Sequence, residues 1–280
     1  MQSKHSLMTL TNNPVVNMEV LKTQVREKYG EIANQASEKK GCGCGCSSSS
    51  VEFSMIGDEY NKVDGYVADA DLGLGCGIPT DLAGIEEGQT VLDLGSGAGL
   101  DVFVARKIVG DKGRVIGVDM TPEMIEKAKQ NADKHGFTNT EFILGDIEAL
   151  PVESGSVDVI ISNCVLNLVP DKQKAFAEMY RVLKPGGHFT VSDIVVSGGD
   201  LPEAIQKAAE MYVGCVSGAM QQDEYMDVIR KANFQNVATL QQRTIPIPQE
   251  ELEKFLSHEE VEAFQSSDTK VLSVTVKGVR

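Results

Sequence analysis

The sequence predicts an α/β protein built on a mostly parallel sheet with helices on both faces. Two observations carry this. From residue 90 onward, apolar runs of strand length alternate with amphipathic stretches of helical length, and a glycine-rich turn, Gly95-Ser96-Gly97-Ala98-Gly99, joins the first run to the first stretch. A helix between successive strands is the connection that parallel pairing requires. TVLDLG at 90–95 is the first strand, and LDVFVARKIVG at 100–110 has helical periodicity. RVIGVDM at 114–120 is the second strand. TPEMIEKAKQNADKHG at 121–136 reads as a helix, with threonine at the N-cap, proline at the first helical position and glycine at the end. EFILGD at 141–146 and VDVIISN at 157–163 are strands three and four. KQKAFAEMYRVLKPGG at 172–187 is a helix stopped by Pro185-Gly186-Gly187, ahead of a fifth strand, HFTVSDIVV at 188–196. Two helical stretches (202–218 and 221–233) then precede two alternating strands at 236–247 and 270–279. Upstream of the sheet, 19–35 is an amphipathic helix. GCGCGCSSSS at 41–50 reads as a flexible, exposed loop, because glycine–cysteine alternation followed by four serines offers nothing to pack.

Composition narrows the function. The formal net charge of −15 argues against general nucleic-acid binding, which rests on basic charge. A hydrophobic share of 41% suffices for a sizeable core. The apolar runs are far shorter than the ~20 residues that span a bilayer, and the N-terminal residues lack the apolar stretch of a secretory signal. Six cysteines in 280 residues are too few for a disulfide scaffold. A soluble, acidic, cytoplasmic protein is expected.

The glycine turn leads from a strand into a helix, where exposed N–H groups and absent side chains let a ligand approach the backbone. Leu100 stands where a dinucleotide fingerprint would carry its third glycine, so the pattern is GxGxG. Asp119 closes strand two, placed to accept hydrogen bonds from both hydroxyls of a ribose. Asp146 closes strand three, placed to accept from an adenine amino group. Asp93 lies just inside the glycine turn, where a carboxylate would face a cation rather than a pyrophosphate. Three acids around one crevice suit a positively charged, phosphate-free nucleoside.

VLDLGSGAG, GVDMTPEMIEKAK, LGDIEALP and LKPGGHFTVSD resemble, in order and spacing over residues 90–194, the motif series of class I S-adenosylmethionine-dependent methyltransferases. That resemblance implies a Rossmann-like, doubly wound sheet of seven strands whose last two form an antiparallel pair, here preceded by a helical insertion. It implies S-adenosyl-L-methionine as cofactor, held by Asp93, Gly95, Ser96, Gly97, Gly99, Asp119, Met120, Gly145, Asp146, Ile147 and Asn163. The expected organisation is an N-terminal helix and cysteine tract (1–50), then one methyltransferase domain (51–280), with 200–233 contributing to the acceptor site.

Methyl transfer from a sulfonium is an in-line displacement, so the enzyme's tasks are positioning and supplying a nucleophile. Oxygen and nitrogen acceptors usually need a general base, and none presents itself. His188, at the start of a strand, reads as structural. A soft acceptor with its own lone pair needs no base. Cys164 follows strand four beside the glycine turn. Cys76 sits in GLGCGIPT, between glycines and with no core to pack into. Cys215 falls at the edge of the apolar stripe of its helix. Thiols without histidine partners or CxxC pairs suit a soft, three-coordinate centre, and trivalent arsenic is the biological candidate.

DLGLGCGIPTDLAGIEEGQTVLDLGSGAGLD at 71–101, SNCVLNLVPDK at 162–172 and EMYVGCVSGA at 210–219 resemble the microbial arsenite S-adenosylmethionine methyltransferases. The family resemblance implies that Cys164 and Cys215 hold the arsenic of arsenite or methylarsenite. Cys76 would be a third thiol able to pair oxidatively, with Cys42, Cys44 or Cys46 as its partner. It further implies that thiolates bind arsenic with loss of their protons, so that affinity falls at low pH, and that the cysteines re-reduce the methylated arsenic. Thioredoxin or glutathione would then restore the thiols. Two rivals stand beside this reading: a carbon or oxygen methyltransferase of the ubiquinone/menaquinone-biosynthesis type, and a non-enzymatic thiol-rich metalloid-binding protein.

Overall fold

The computed structural model describes residues 14–38, 60–207 and 218–280. Its sheet contains β1 (Thr90–Leu94), β2 (Arg114–Asp119), β3 (Thr140–Leu144), β4 (Val157–Asn163), β5 (Leu183–Ser197), β6 (Met220–Gln221), β7 (Gln235–Thr244) and β8 (Lys270–Val279). The order is β3-β2-β1-β4-β5-β8-β7, with two-residue β6 pairing β5 beyond the end of β4. Pairs among β1 to β5 are parallel, whereas β8 runs antiparallel to both β5 and β7. The seven-stranded path expected from the motif series is thus present, with one short strand added.

After the short helix α2 (Pro79–Leu82), helices α3 (Leu100–Val109) and α4 (Pro122–His135) cover one face around Phe103 and Phe142. On the other face α5 (Lys172–Val182) and the helix Gln222–Lys231 bury Phe176, Tyr225 and Phe234 against Phe189. Thr121 is the N-cap of α4 by position, but its side chain makes no capping bond, and Pro122 presets the first turn. α5 stops at Val182 rather than running to residue 187. Leu183 already pairs with Val157, and the next register pair, Val159 with His188, leaves Lys184–Gly187 as a bulge. Pro185 disfavours helical backbone at Lys184, so the chain leaves the helix before the glycines. Two helices between β7 and β8, Gln249–Leu252 and His258–Gln265, were not anticipated. The second carries a capping box, Ser257 with Glu260, that is legible in the sequence as S-x-x-E. No described helix is long and apolar enough to cross a membrane.

Helix α1 (Pro14–Glu38) lies against α4 and faces the open end of the sheet. Its inward face is spaced three to four residues apart: Lys22, Val25, Tyr29 and Ala33, with Val25 and Ala33 almost fully buried. Lys22 bridges Asp146 at 2.7 Å and Glu148 at 2.8 Å. Burial works against this ammonium, yet its bonds to the two carboxylates hold its pKa above the ordinary lysine value. Lys22→Ala leaves the two carboxylates without their cation. A loss of about 1–2 kcal/mol in urea unfolding is expected, between the values of exposed and fully buried pairs.

Asp193, on β5, is wholly buried and accepts from Tyr225 Oη at 3.1 Å. Burial raises its pKa to about 7. The folded value lies above the ~3.9 of an unfolded aspartate, so stability is lost as pH rises from about 4 to about 7. Asn at this position stays neutral. The melting temperature of Asp193→Asn relative to the parent should climb steadily across that window, as measured by calorimetry between pH 4 and 8.

Candidate functional site

The strand order reverses between β1 and β4, and a doubly wound sheet opens its crevice at the carboxyl ends of such a pair. Leu94 lies opposite Ser162 there, so the glycine turn and Asn163-Cys164 leave the sheet side by side. The turn is tied to β2: the Gly95 and Ser96 amides both donate to Val118 O, at 2.7 and 3.1 Å. Gly97 N donates to Asp119 Oδ2 at 2.9 Å, and Thr121 N donates to its other oxygen at 2.8 Å. Gly95 has φ +70°, and a Cβ there would overlap the side chain of Val165, so both backbone and space demand glycine.

Asp93 and Asp101 are buried beneath this turn, with Asp119 at its rim. Burial pushes the Asp93 carboxyl well above the usual range, and the charges of Asp101 and Asp119 add to it. Asp101, in the first turn of α3, is raised to about 6 by burial, against hydrogen bonds from Tyr60 and Asn163. Burial likewise raises Asp119, opposed by the amides of Thr121 and Gly97. A crevice whose acids are raised by burial, and at Asp93 also by the neighbouring carboxylates, has the chemistry for a cationic ligand, which would relieve that repulsion.

At the β3 side, Asp146 Oδ1 accepts from Glu148 N at 2.8 Å while Oδ2 takes Lys22. Burial works to raise the Asp146 pKa, but the Lys22 bond prevails and lowers it. Gly145 N bonds Asp119 O at 2.9 Å, Ile147 is buried in the core, and Met120 is half-buried. The Ser96 hydroxyl is buried without a hydrogen-bond partner.

Among the thiols, Cys76 departs from expectation. Flanking glycines suggested a residue with no core to pack into, yet Cys76 is fully buried in a cluster with Leu168, Ile194 and Val196. Its amide donates to Asn163 Oδ1 at 2.9 Å, and its carbonyl accepts from Ser273 Oγ and from Arg243 Nη2. The glycines serve close approach: a Cβ on Gly77 would stand 2.5 Å from Ser192 Oγ. Cys164 is half-buried and packs against the same cluster. Its φ of 60° is a left-handed conformation that costs a non-glycine residue about 1–2 kcal/mol. Cys215, Cys42, Cys44 and Cys46 lie outside the described residues, as do the 41–50 loop and most of the helix expected at 202–218. Among the described residues no group of three or more His, Cys, Asp and Glu side chains could hold a metal ion. His188 is structural, as expected: its Nε2 donates to Ala83 O, and burial lowers its pKa.

Asn163 was expected to line the cofactor crevice, but its amide is turned toward the Cys76 loop. Three further residues act here without a sequence signal. Tyr60 is an isolated aromatic in an irregular stretch. Asp101 reads as an ordinary acid complementing a helix N-terminus. Lys22 lies on a helix rich in charge.

Residues 85–233 match the family model described as a methyltransferase domain. An arsenite methyltransferase from Halobacterium salinarum is 43% identical over 230 residues, covering 78% of this chain and 58% of that protein. The arsenite methyltransferase of Homo sapiens is 40% identical over 193 residues, or 65% of this chain and 50% of that one. Among solved structures, an arsenic (III) S-adenosylmethionine methyltransferase from Chlamydomonas reinhardtii superposes with a TM-score of 0.62 at 38% identity, covering 72% of this chain and 66% of that chain. The chain therefore spans 50–58% of the length of these two curated relatives. With more than half of its residues inside the family model and the matching strand order, the chain belongs to the methyltransferase-domain family.

Proposed function

We propose that this chain methylates trivalent arsenic, as arsenite or methylarsenite held by cysteine thiolates, using S-adenosylmethionine, and that it serves arsenic detoxification in the cytoplasm. The reading rests above all on Cys164: a thiol in a strained backbone conformation, at the end of β4 and beside the glycine turn, with a second cysteine hydrogen-bonded to the residue before it. Strain of this kind persists where function requires it. The likeness to arsenite methyltransferases supports the same acceptor. A carbon or oxygen methyltransferase of the ubiquinone/menaquinone-biosynthesis type would explain the sheet and leave both thiols without a role.

The residues present fit the cofactor. The glycine turn leaves the backbone open, and the acids of the crevice suit a positively charged nucleoside. Asp119 would take the ribose hydroxyls. Asp146 would take the adenine amino group on lone pairs that Lys22 and Glu148 leave unused. Gly95, Ser96, Gly97 and Gly99 would form the floor, Asp93 would face the charged end, and Met120, Gly145, Ile147 and the backbone of Asn163 would complete the lining, the Asn163 side chain being engaged by the Cys76 loop. When bound, the cofactor supplies a methyl group on a positively charged sulfur. The chain supplies the acceptor. Each thiol that condenses with arsenite replaces one hydroxyl and releases one water, so Cys164 and Cys215, with Cys76 as third ligand, leave arsenic with its lone pair exposed. That lone pair would attack the methyl carbon in line, the carbon–sulfur bond would break with its electrons going to sulfur, S-adenosylhomocysteine would leave, and arsenic would become formally pentavalent. Two thiolates return two electrons and join as a disulfide, Cys76 pairing with Cys42, Cys44 or Cys46, and a thioredoxin or glutathione thiol reduces it again. In this reading 1–50 is an extension that carries the redox cysteines, 51–280 is the catalytic domain, and 200–233 adds Cys215 to the site.

Purified protein incubated with methyl-labelled S-adenosylmethionine should release labelled arsenicals only when arsenite or methylarsenite and a thiol reductant are added. Transfer independent of arsenic would sink the reading. Cys164→Ser should abolish methylation of both arsenicals, because a hard, un-ionised hydroxyl does not replace a thiolate; near-normal turnover of methylarsenite by that variant would remove Cys164 from the site. Asp119→Ala should weaken S-adenosylmethionine by roughly 2–4 kcal/mol, the worth of two charge-assisted hydrogen bonds, in a calorimetric titration.

A further inference from the structure

Between the cofactor crevice and the thiols lies a buried hydrogen-bond unit that neither binding step uses directly. The side chain of Asn163, the residue before Cys164, grips the Cys76 peptide on both sides. Its Oδ1 accepts from Cys76 N at 2.9 Å, and its Nδ2 donates to Gly77 O at 2.8 Å, as a neighbouring strand would. The same Nδ2 lies 2.7 Å from Tyr60 Oη and 3.2 Å from Asp101 Oδ2. Tyr60 Oη in turn reaches Asp101 Oδ1 at 2.9 Å and Gly77 O at 3.0 Å. From the opposite side Ser273 and Arg243 hold the Cys76 carbonyl. The glycines beside Cys76 make the grip possible: a Cβ on Gly75 would come within 3.0 Å of Asn163 Nδ2. One amide therefore ties the backbone of Cys76 to the residue that carries Cys164, and Tyr60 with Asp101 fixes that amide.

We propose that Asn163 is a positioning residue that sets Cys76 beside Cys164 as the third arsenic ligand, with Tyr60 and Asp101 holding its amide in place. The inference rests on the arsenic reading above. It makes Asn163 selective between substrates. Arsenite has three exchangeable hydroxyls and uses three thiols. Methylarsenite already carries carbon on one valence and uses two, so its binding and first methyl transfer do not depend on Cys76, whose redox part comes only afterwards.

The test uses the full chain, its Asn163→Ala variant and the milder Tyr60→Phe. Two quantities are read: the rate at which a small alkylating agent modifies Cys76, located by peptide mass spectrometry, and the ratio of the single-turnover methylation rate on arsenite to that on methylarsenite. Cys76 is fully buried, so its modification is slow in the parent. Asn163→Ala should speed it about tenfold or more and lower the arsenite-to-methylarsenite ratio by a similar factor, as expected when two hydrogen bonds that order a loop are removed. Tyr60→Phe should move both in the same direction by a smaller factor. A ratio within twofold of the parent in both variants overturns the proposal, whether or not alkylation speeds up. A fallen ratio with Cys76 still protected also overturns it, since the effect would not then pass through the loop. Parent protein that methylates neither arsenical fails the underlying reading instead, a result visible before any variant is made.

Discussion

Parallel pairing of β1 with β4 is the interaction on which the site depends. Leu94 faces Ser162 in that register, and Ser162 Oγ donates to Leu94 O at 3.0 Å in the buried interior. Because the two strands are not consecutive, the helices that follow them fold to opposite faces and leave a crevice between the strand ends. A slip of one residue would exchange the faces that Ser162 and Asn163 occupy and carry the Asn163 side chain away from the Cys76 loop. The glycine turn, the acids and the two described thiols meet because this one register is held.

The crevice is built against stability. Asp93 and Asp101 are removed from water next to other carboxylates, and burial raises both pKa values. Cys164 holds a backbone conformation that favours glycine. Such costs are tolerated where a ligand offsets them, and any cation bound only by the folded state stabilises it by mass action. The offsetting packing is plentiful. β5 and β8 exchange ten register pairs, from His188 opposite Val279 to Ser197 opposite Lys270, and the aromatic group around Phe176 closes the face behind them.

The N-terminal helix joins the crevice to the rest of the chain. Lys22 stands on the acids at the β3 side, Val25 enters the cluster that contains Cys76, and Tyr29 packs against that cluster together with Met120 and Cys164. A single helix face thus touches both the proposed nucleoside end and the proposed acceptor end of the site.

What could be read from the sequence was whatever is encoded within a few residues. Strand β4 appeared at its observed limits, the glycine turn was located, and Asp93, Asp119 and Asp146 stood at strand ends, because apolar period and turn chemistry are local properties. The helix at His258–Gln265 was missed, although Ser257 and Glu260 mark its start as a capping box, because the apolar pattern around it is weak. The early end of α5 was not legible, because it follows from Leu183 finding Val157 across the sheet. The burial of Cys76 depends on Ser273, 197 positions away, and the Lys22–Asp146 pair joins residues 124 apart. Periodicity says which face of an element is apolar and nothing about which distant group will cover it. That was decided only when the strands closed, since the covering groups come from segments whose meeting depends on the register of the whole sheet.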